Sequence, residues 1–161
     1  MITIAQIHAD FLSRKDNASA LVERNIDAVN DVNGEGSRTF LSLNAEAVRN
    51  AAVQSQKRID DGSARPLEGI TVSIKDLFDV AGEVTGAGST VLRSRPAATH
   101  DAPAVARLRA AGAIPFGRTN MVEFAYSGVG INPHYGTPRA AWGRTATVAG
   151  GCRVGHRAAR L

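Results

Sequence analysis

The sequence predicts an α/β fold in which helices flank a mixed β-sheet. Apolar residues recur at helical spacing in several stretches, and short apolar or alternating runs lie between them. Helices that alternate with short strands along a chain are typical of a layered α/β domain. The 161 residues suffice for one domain, and a hydrophobic fraction of 43% allows a buried core.

The first part of the chain predicts three helices and one strand. Thr3 is placed to cap the first helix, whose apolar stripe consists of Ile4, Ile7, Phe11 and Leu12. A second helix is expected over about residues 19–30. Residues 38–43 predict a short strand, and Asn44 is expected to cap a third helix that ends at Gly62.

A second strand is predicted to end at Lys75. Its apolar residues alternate with polar ones: Ile70, Val72 and Ile74 point one way, and Thr71, Ser73 and Lys75 the other. A desolvated lysine can lose its proton and act as a base, which an arginine cannot do. The alternative is a surface lysine paired with Asp76 or Asp79.

The chain after this strand contains three glycines, which allow backbone conformations that other residues rarely adopt: Gly82, Gly86 and Gly88. Residues 86–89 have the composition of a loop that cradles an anion. Because Pro96 follows too soon for a helix to begin directly, a phosphate site is not expected here.

The next segment predicts a helix, a strand and a long loop. Asp101 is expected to cap a helix with Pro103 in its first turn, and residues 113–117 predict a buried strand. Asn120 is expected to open a short helix. From Tyr126 onward glycine and proline dominate, which predicts a loop on a scaffold, the usual place for a site.

The charge pattern separates the end of the chain from its body. The net charge is +4, and all five charged residues after Glu123 are arginines, so residues 143–161 form a basic tail rich in Gly and Arg. Nucleic-acid-binding domains more often carry basic residues with aromatics between them on a folded face. Aromatic residues make up only 5% of this chain, and nucleic-acid binding is therefore not expected.

Several other classes of protein are disfavoured as well. No apolar run has the length of a membrane span, and the N-terminus lacks the features of a signal peptide. Cys152 is the single cysteine, so no internal disulfide is possible, and a cytoplasmic location is expected. No cluster of His, Cys and carboxylates has metal-ligand spacing.

Several blocks of the sequence, taken in order, resemble the amidase signature family. Residues 66–76, which read Pro-Leu-x-Gly-Ile-x-Val-x-Ile-Lys-Asp, resemble its first block, and residues 101–114 and 117–125 resemble the next two. The pattern continues in order with Asn132, Gly136 and Trp142. The resemblance implies that residues 1–142 form the N-terminal part of the amidase signature fold, incomplete as given.

The family hydrolyses carboxamides with a serine–serine–lysine triad, and the resemblance assigns Lys75 as the lysine. It implies that Lys75, neutral through burial, takes a proton from a cis-peptide serine, which relays it from the nucleophilic serine. Backbone N–H groups would stabilise the oxyanion. The substrate would be a small carboxamide contacted by Phe124, Ala125 and Tyr126, with no cofactor. One departure is Arg118, where lysine is commoner.

The end of the chain departs further from the family pattern. Where the family has Gly-Gly-Ser-Ser-Gly, this chain has Gly150 and Gly151, followed by Cys152 at the cis-serine position. The family nucleophile lies beyond Leu161, so the sequence as written is expected to hold a base without a nucleophile. One explanation is a natural short protein in which Cys152 has a new role. The other is a frame change or premature end in an amidase gene, which codon degeneracy favours.

Three functions therefore stay open. The first is amidase-type hydrolysis, present here in a truncated or frame-changed, inactive form. The second is the glutamine-hydrolysing subunit of a tRNA-dependent amidotransferase, and the third is a non-enzymatic truncated binding module. An incomplete domain would also leave an apolar sheet face uncovered, which favours self-association. The tail after residue 142 is expected to pack poorly, because it has few large apolar residues.

Overall fold

The computed structural model describes residues 2–140 and 143–147. The helices of this part are α1 (Ile4–Leu12), α2 (Ala18–Asn30), α3 (Gly36–Thr39), α4 (Ala45–Asp60) and α5 (Pro103–Ala110). Its strands are β1 (Phe40–Ser42), β2 (Thr71–Lys75), β3 (Ile114–Thr119), β4 (Arg139–Ala140) and β5 (Gly143–Thr147). Two 3₁₀ turns occupy Val91–Ser94 and Glu123–Ala125. Within these residues, no helix has the length and apolarity needed to cross a membrane.

The main sheet is mixed, with the strand order β1-β3-β2. β1 runs antiparallel to β3, whereas β2 runs parallel to it. The parallel pair aligns Lys75 with Thr119, so the carboxyl ends of β2 and β3 lie at the same edge of the sheet. β4 and β5 form a separate antiparallel pair. The predicted mixed sheet with flanking helices is confirmed.

Local capping explains where the long helices begin. The side-chain oxygens of Thr3, Asn17 and Asn44 each accept a hydrogen bond from the backbone N–H three residues further on. The caps predicted at Thr3 and Asn44 are confirmed, and α2 begins one residue before the predicted start. α4 ends before Gly62, whose φ of 72° suits the turn that follows.

The core lies on both faces of the sheet. Ile114 and Phe116 of β3 pack with α1, α2 and α4, and the buried members from these helices are Phe11, Ala18, Val22, Ile26, Val48, Ala52 and Ile59. On the other face, Ile74 of β2 packs with Val80 and with Val105 of α5. In α1, Phe11 is buried, whereas Ile4 and Leu12 of the predicted stripe are exposed. The sheet is thus enclosed between helical layers, as in an α/β domain.

The prediction that Asp101 caps α5 is wrong. The N-cap position belongs to Ala102, which makes no side-chain capping bond, and Pro103 opens the helix. Asp101 instead accepts a hydrogen bond from the N–H of Ala81 at 2.8 Å and pairs with Arg109 at 2.8 Å. Its carboxylate therefore joins the segment after β2 to α5, a contact between residues that are distant in sequence.

The short helix predicted from Asn120 is also absent. Only the 3₁₀ turn Glu123–Ala125 forms, and Phe124 and Ala125 have φ values of 54° and 56°, in the left-handed region. Asn120 is buried, and its amide donates to the carbonyl oxygens of Arg38 at 3.0 Å and Gly136 at 2.8 Å. These long-range hydrogen bonds fix the chain in a form that a helix would not permit.

Two regions differ in secondary structure from the prediction: residues 38–43, and the chain after Tyr126. Within residues 38–43, Arg38 and Thr39 belong to α3, and only Phe40–Ser42 form the strand. The expected loop after Tyr126 gives way to β4, and β5 occupies Gly143–Thr147 in the expected tail. β4 and β5 lie on either side of residue 142, and the domain boundary placed there stays a prediction. Trp142 lies outside the described residues.

Candidate functional site

Lys75 lies at the end of β2, as the alternation of its neighbours predicts. Its side chain is half-buried, and its backbone is in register with Thr119 of β3. The carbonyl oxygen of Lys75 accepts hydrogen bonds from the N–H of Leu77 at 2.6 Å and of Phe78 at 3.1 Å. The strand therefore ends in a tight turn immediately after the lysine.

The next residue, Asp76, has no solvent-exposed surface. Its N–H donates to the carbonyl oxygen of Thr119 at 3.1 Å, which continues the pairing of the two strands. Its carboxylate accepts from the N–H of Gly86 at 3.3 Å and of Gly88 at 3.0 Å. It also accepts two hydrogen bonds, each of 3.3 Å, from the guanidinium of Arg118. A buried carboxylate with this many donors is well compensated for its lost hydration.

Arg118 connects this carboxylate to the turn after β2. The guanidinium is only 2% exposed, and it donates to the carbonyl oxygen of Phe78 at 2.6 Å and to the Thr85 hydroxyl at 3.1 Å. The Glu83 carboxylate lies 3.7 Å from it. Burial raises the pKa of Glu83 above its ordinary value, and the nearby Arg118 only partly opposes this. Arginine presents five N–H donors in a rigid planar fork, which reaches acceptors on different sides here, whereas a lysine would carry its three donors on one nitrogen.

The glycine loop after β2 does cradle an anion, but the anion belongs to the chain. Gly86 approaches so closely that an added Cβ would lie 3.0 Å from Oδ2 of Asp76. Gly88 has a φ of +67°, and a Cβ there would lie 2.7 Å from the carbonyl oxygen of Met121. The Asp76 carboxylate thus takes the place that a phosphate would have in a phosphate-binding loop.

A buried asparagine, Asn132, ties this loop to the segment after β3. Its amide donates to the carbonyl oxygens of Gly88 at 2.8 Å and Met121 at 2.7 Å. Its own carbonyl accepts from the N–H of His134 at 2.8 Å and of Tyr135 at 3.2 Å. Three separate stretches of the chain therefore meet beside the carboxyl end of β2.

The residues that the resemblance assigns to the substrate lie against the same loop. The N–H of Phe124 donates to the carbonyl oxygen of Ala87 at 2.8 Å. The side chains of Phe124 and Tyr126 are 53% and 93% exposed, and Ala125 is exposed as well. The Asp76 carboxylate and the backbone of the glycine loop thus connect the end of β2 to this segment. The role of the segment toward a substrate stays a prediction.

A contact between the His134 ring and the Glu123 carboxylate connects that segment to the loop that follows it. Nε2 of His134 lies 3.0 Å from Oε1 of Glu123. A hydrogen bond from the buried Ser89 hydroxyl, together with His134, lowers the pKa of Glu123 below its ordinary value. This pair joins the 3₁₀ turn to the loop that follows it.

Gly150, Gly151 and Cys152 lie outside the described residues, so their position relative to Lys75 stays a prediction. Among residues 2–140 and 143–147, no group of three or more His, Cys, Asp and Glu side chains is arranged to hold a metal ion.

A second buried carboxylate, Glu68, lies away from Lys75 in a cluster of arginines. Arg58 and Arg65 donate to it, at distances down to 2.9 Å and 2.7 Å respectively. Burial alone would raise the pKa of Glu68, but hydrogen bonds from Arg65, Arg58 and Ser55 outweigh burial and lower this pKa to about 2. This cluster joins the end of α4 to the turn before β2.

The sequence interpretation missed the polar network around Asp76. It gave Asp76 as a motif residue and, only in the alternative, as a surface partner for Lys75; it gave Arg118 as a departure from the family pattern and Asn132 as a motif residue. One signal was available, because residues 86–89 have the composition of an anion cradle and an aspartate directly follows the strand. An internal carboxylate was not considered as the anion.

Comparison with known proteins finds similarity over most of the chain. The family model described as Amidase matches residues 20–156. A glutamyl-tRNA(Gln) amidotransferase subunit from Lacticaseibacillus paracasei is 37% identical over 160 residues, which is 98% of this chain and 32% of the relative. Amidase 1 of Arabidopsis thaliana is 55% identical over 74 residues, covering 45% of this chain and 17% of the relative.

Solved structures agree with these relatives. A vestigial protein complex, described as revealing the origins of an s-triazine catabolic enzyme, contains a chain with a TM-score of 0.89 and 31% identity. The match covers 98% of this chain and 34% of that one. A crystal structure of an amidase matches with a TM-score of 0.86 and 30% identity. That match covers 99% of this chain and 36% of the amidase chain. This chain thus spans about a third of the length of the relatives that match nearly all of it.

Proposed function

Because the chain belongs to the amidase family, we propose that it supplies the lysine base of an amidase that hydrolyses a carboxamide C–N bond. Members of this family are hydrolases that act on such bonds. The observation that carries the proposal is the position of Lys75, half-buried at the end of a strand that is parallel to β3. The carboxyl ends of parallel strands are where α/β folds place their sites.

In the proposed reaction, Lys75 accepts a proton from a relay residue, which takes it from a serine nucleophile. The nucleophile attacks the carbonyl carbon, and the resulting oxyanion is stabilised by backbone N–H groups. Collapse of this intermediate breaks the C–N bond and leaves an acyl-enzyme, and the leaving amine takes the proton that Lys75 returns through the relay. Water, which gives a proton to the relay and Lys75, then hydrolyses the acyl-enzyme to the carboxylic acid and the free serine. We place Cys152 at the relay position and Gly150 and Gly151 before it, on sequence order alone. No cofactor takes part in this proposal.

Exposed residues of the segment that bonds to the glycine loop define the proposed substrate contact. Phe124, Ala125 and Tyr126 present an apolar surface, which suits a small carboxamide with an apolar acyl or amine group. The segment is backed by the glycine loop through the hydrogen bond from Phe124 to Ala87. We propose that substrate binds across this segment with its carbonyl near Lys75.

The test is the turnover of a simple aryl amide by the 161-residue polypeptide and by its Lys75→Ala and Cys152→Ala variants. We expect no rate above that of Lys75→Ala, because the proposed nucleophile is not among these residues. Joining the serine-containing region of a related amidase to the chain should restore turnover that depends on Lys75. Activity of the polypeptide alone that is lost in both variants would instead make Cys152 the nucleophile.

A second candidate function is glutamine hydrolysis within a tRNA-dependent amidotransferase. The observation that favours it is the match to a glutamyl-tRNA(Gln) amidotransferase subunit over 98% of this chain. The same joined protein should then release ammonia from glutamine faster than it cleaves an aryl amide. A preference for the aryl amide would favour a general amidase.

We also propose self-association of the 161-residue polypeptide, as in a non-enzymatic module. Several large apolar side chains around the site are at least 43% exposed: Leu77, Phe78, Phe124, Tyr126, Val129 and Ile131. Apolar surface of this kind favours contacts with other chains. Sedimentation that shows a monomer at all concentrations would contradict this. Nucleic-acid binding is not proposed, and the cytoplasmic location stays a prediction.

A further inference from the structure

We propose that Asp76 is a positioning residue: its buried carboxylate holds both Lys75 and the segment that faces the substrate in place. This inference rests on the proposed function, because it assumes that Lys75 is the base. It goes beyond that function, because it states that the Asp76 carboxylate fixes the positions of both Lys75 and the segment around Phe124. Arg118 and the glycine loop are its partners in this role.

The backbone on both sides of Lys75 is held. Before the lysine, β2 is paired with β3 in register as far as Lys75 and Thr119. After it, the N–H of Asp76 bonds to the same Thr119, and Arg118 binds the carbonyl oxygen of Phe78 at 2.6 Å. A lysine at the end of a strand would otherwise fray with the turn that follows it. Its side chain therefore starts from a fixed backbone.

The carboxylate of Asp76 is the common partner of the groups that make this arrangement. Two backbone N–H groups of the glycine loop and the buried Arg118 converge on it, and a guanidinium nitrogen of Arg93 lies 3.9 Å away. Neutralising this carboxylate would weaken the hydrogen bonds of the two glycine N–H groups and remove the charge that faces Arg118, which would keep only Phe78 and Thr85 as acceptors among these groups.

The glycine loop also forms hydrogen bonds with the segment proposed to face the substrate. Gly88, which bonds to Asp76 through its N–H, accepts from Asn132 through its carbonyl oxygen. Ala87, between the two glycines, accepts from the N–H of Phe124. Phe124 and Ala125 have left-handed backbones, which are strained and persist only when their surroundings hold them. Loss of the anion should therefore release this segment as well.

The experiment uses the fact that the chain has only three lysines, Lys15, Lys57 and Lys75. The folded 161-residue protein is treated briefly with an amine-acylating reagent, and mass spectrometry gives the acylation rate of each lysine. Lys57, which is exposed on α4, serves as the internal reference. This measurement needs no turnover, so it can fail while the proposed function holds, and the reverse.

In Asp76→Asn we expect the acylation rate of Lys75, relative to Lys57, to rise by at least about fivefold, as expected when hydrogen bonds to a charged group are lost. Arg118→Lys keeps the charge without the fork, and it should give a smaller rise in the same direction. Hydrogen exchange at Phe124 should speed up in parallel. If Asp76→Asn does not fold, Arg118→Lys carries the test.

The matched control is Glu68→Gln, which neutralises the other buried carboxylate. It should lower the melting temperature and leave the rate ratio of Lys75 to Lys57 unchanged. If Asp76→Asn and Arg118→Lys also lower the melting temperature without changing that ratio, Asp76 is merely structural and the inference is overturned. An equal rise of the ratio in Glu68→Gln would overturn it too.

Discussion

Two buried carboxylates, Glu68 and Asp76, lie at opposite ends of β2 and are bound in different ways. Both are buried, and both accept hydrogen bonds from arginine. The partners of Glu68 are local, three and ten residues away, and their side chains are 39% and 35% exposed. Arg118 lies 42 residues from Asp76 and is 2% exposed.

The two clusters therefore have different roles: the Glu68 cluster stabilises local structure, and the Asp76 cluster holds together the elements around the proposed site. The Glu68 cluster joins the end of α4 to the turn before β2, and water still reaches its arginines. The Asp76 cluster brings together the end of β2, β3 and the glycine loop, in surroundings where an unpaired charge would be very unfavourable. Lys75, which the proposed chemistry needs, directly precedes Asp76 in the chain. Removal of one group from the Asp76 cluster should therefore destabilise the protein more than removal of one group from the Glu68 cluster.

The largest expected effect is that of Arg118→Ala. It should lower the free energy of unfolding by about 3–5 kcal/mol, because it leaves the buried Asp76 carboxylate without its guanidinium. Arg65→Ala should lower it by only about 1–2 kcal/mol, since Arg58 still binds Glu68 and Arg65 is partly hydrated. Urea unfolding followed by circular dichroism measures both. Equal losses would remove the distinction between the two clusters.

The next effect is a pH dependence at Glu68. The pKa of Glu68 in the folded protein is lowered to about 2 from an ordinary value of 4.5. Its contribution to stability is therefore present above pH 4.5 and is lost as the pH falls toward 2, by about 2–3 kcal/mol in all. Urea unfolding from pH 6 to 2 should show a smaller decrease for Glu68→Gln. The same decrease in both proteins would contradict the lowered pKa.

Two glycines with similar backbones sharpen the comparison further. Gly88 and Gly62 have φ values of 67° and 72°, but a Cβ at Gly62 would meet nothing within 4 Å. A Cβ at Gly88 would lie 2.7 Å from a backbone oxygen, so Gly88→Ala should destabilise by about 1–3 kcal/mol more than Gly62→Ala. Thermal unfolding of the pair gives this difference. A similar loss in both would mean that the glycine loop is not tightly packed.

The smallest effect is expected at Glu83. Burial raises the pKa of Glu83, so folding favours its protonated form over its ionised form. This contribution is present at low pH and is lost as the pH rises through the raised pKa. Glu83→Gln should therefore increase stability at pH 7, by less than about 0.5 kcal/mol. A decrease at pH 7 would show that its contact with Arg118 outweighs burial.

The outcome of the sequence interpretation varies with the range of the contacts involved. The strand that ends at Lys75 followed from alternation over a few residues, and the structure has it. The cap assigned to Asp101 failed because its carboxylate binds Ala81 and Arg109 instead. The helix expected at Asn120 failed because its side chain is held by Arg38 and Gly136, which lie in other parts of the chain.

The sequence by itself determined the local elements of this protein: the caps at Thr3 and Asn44, the alternation in β2, and the lysine at its end. These depend on residues within a few positions of one another, and side chains there satisfy nearby backbone groups. Only the tertiary structure decided that Asp76 is the anion of the glycine loop, that Arg118 is its partner, and that Phe124 is held beside them. Such contacts form only when the packing of distant strands and loops removes water and leaves each buried polar group a single set of partners.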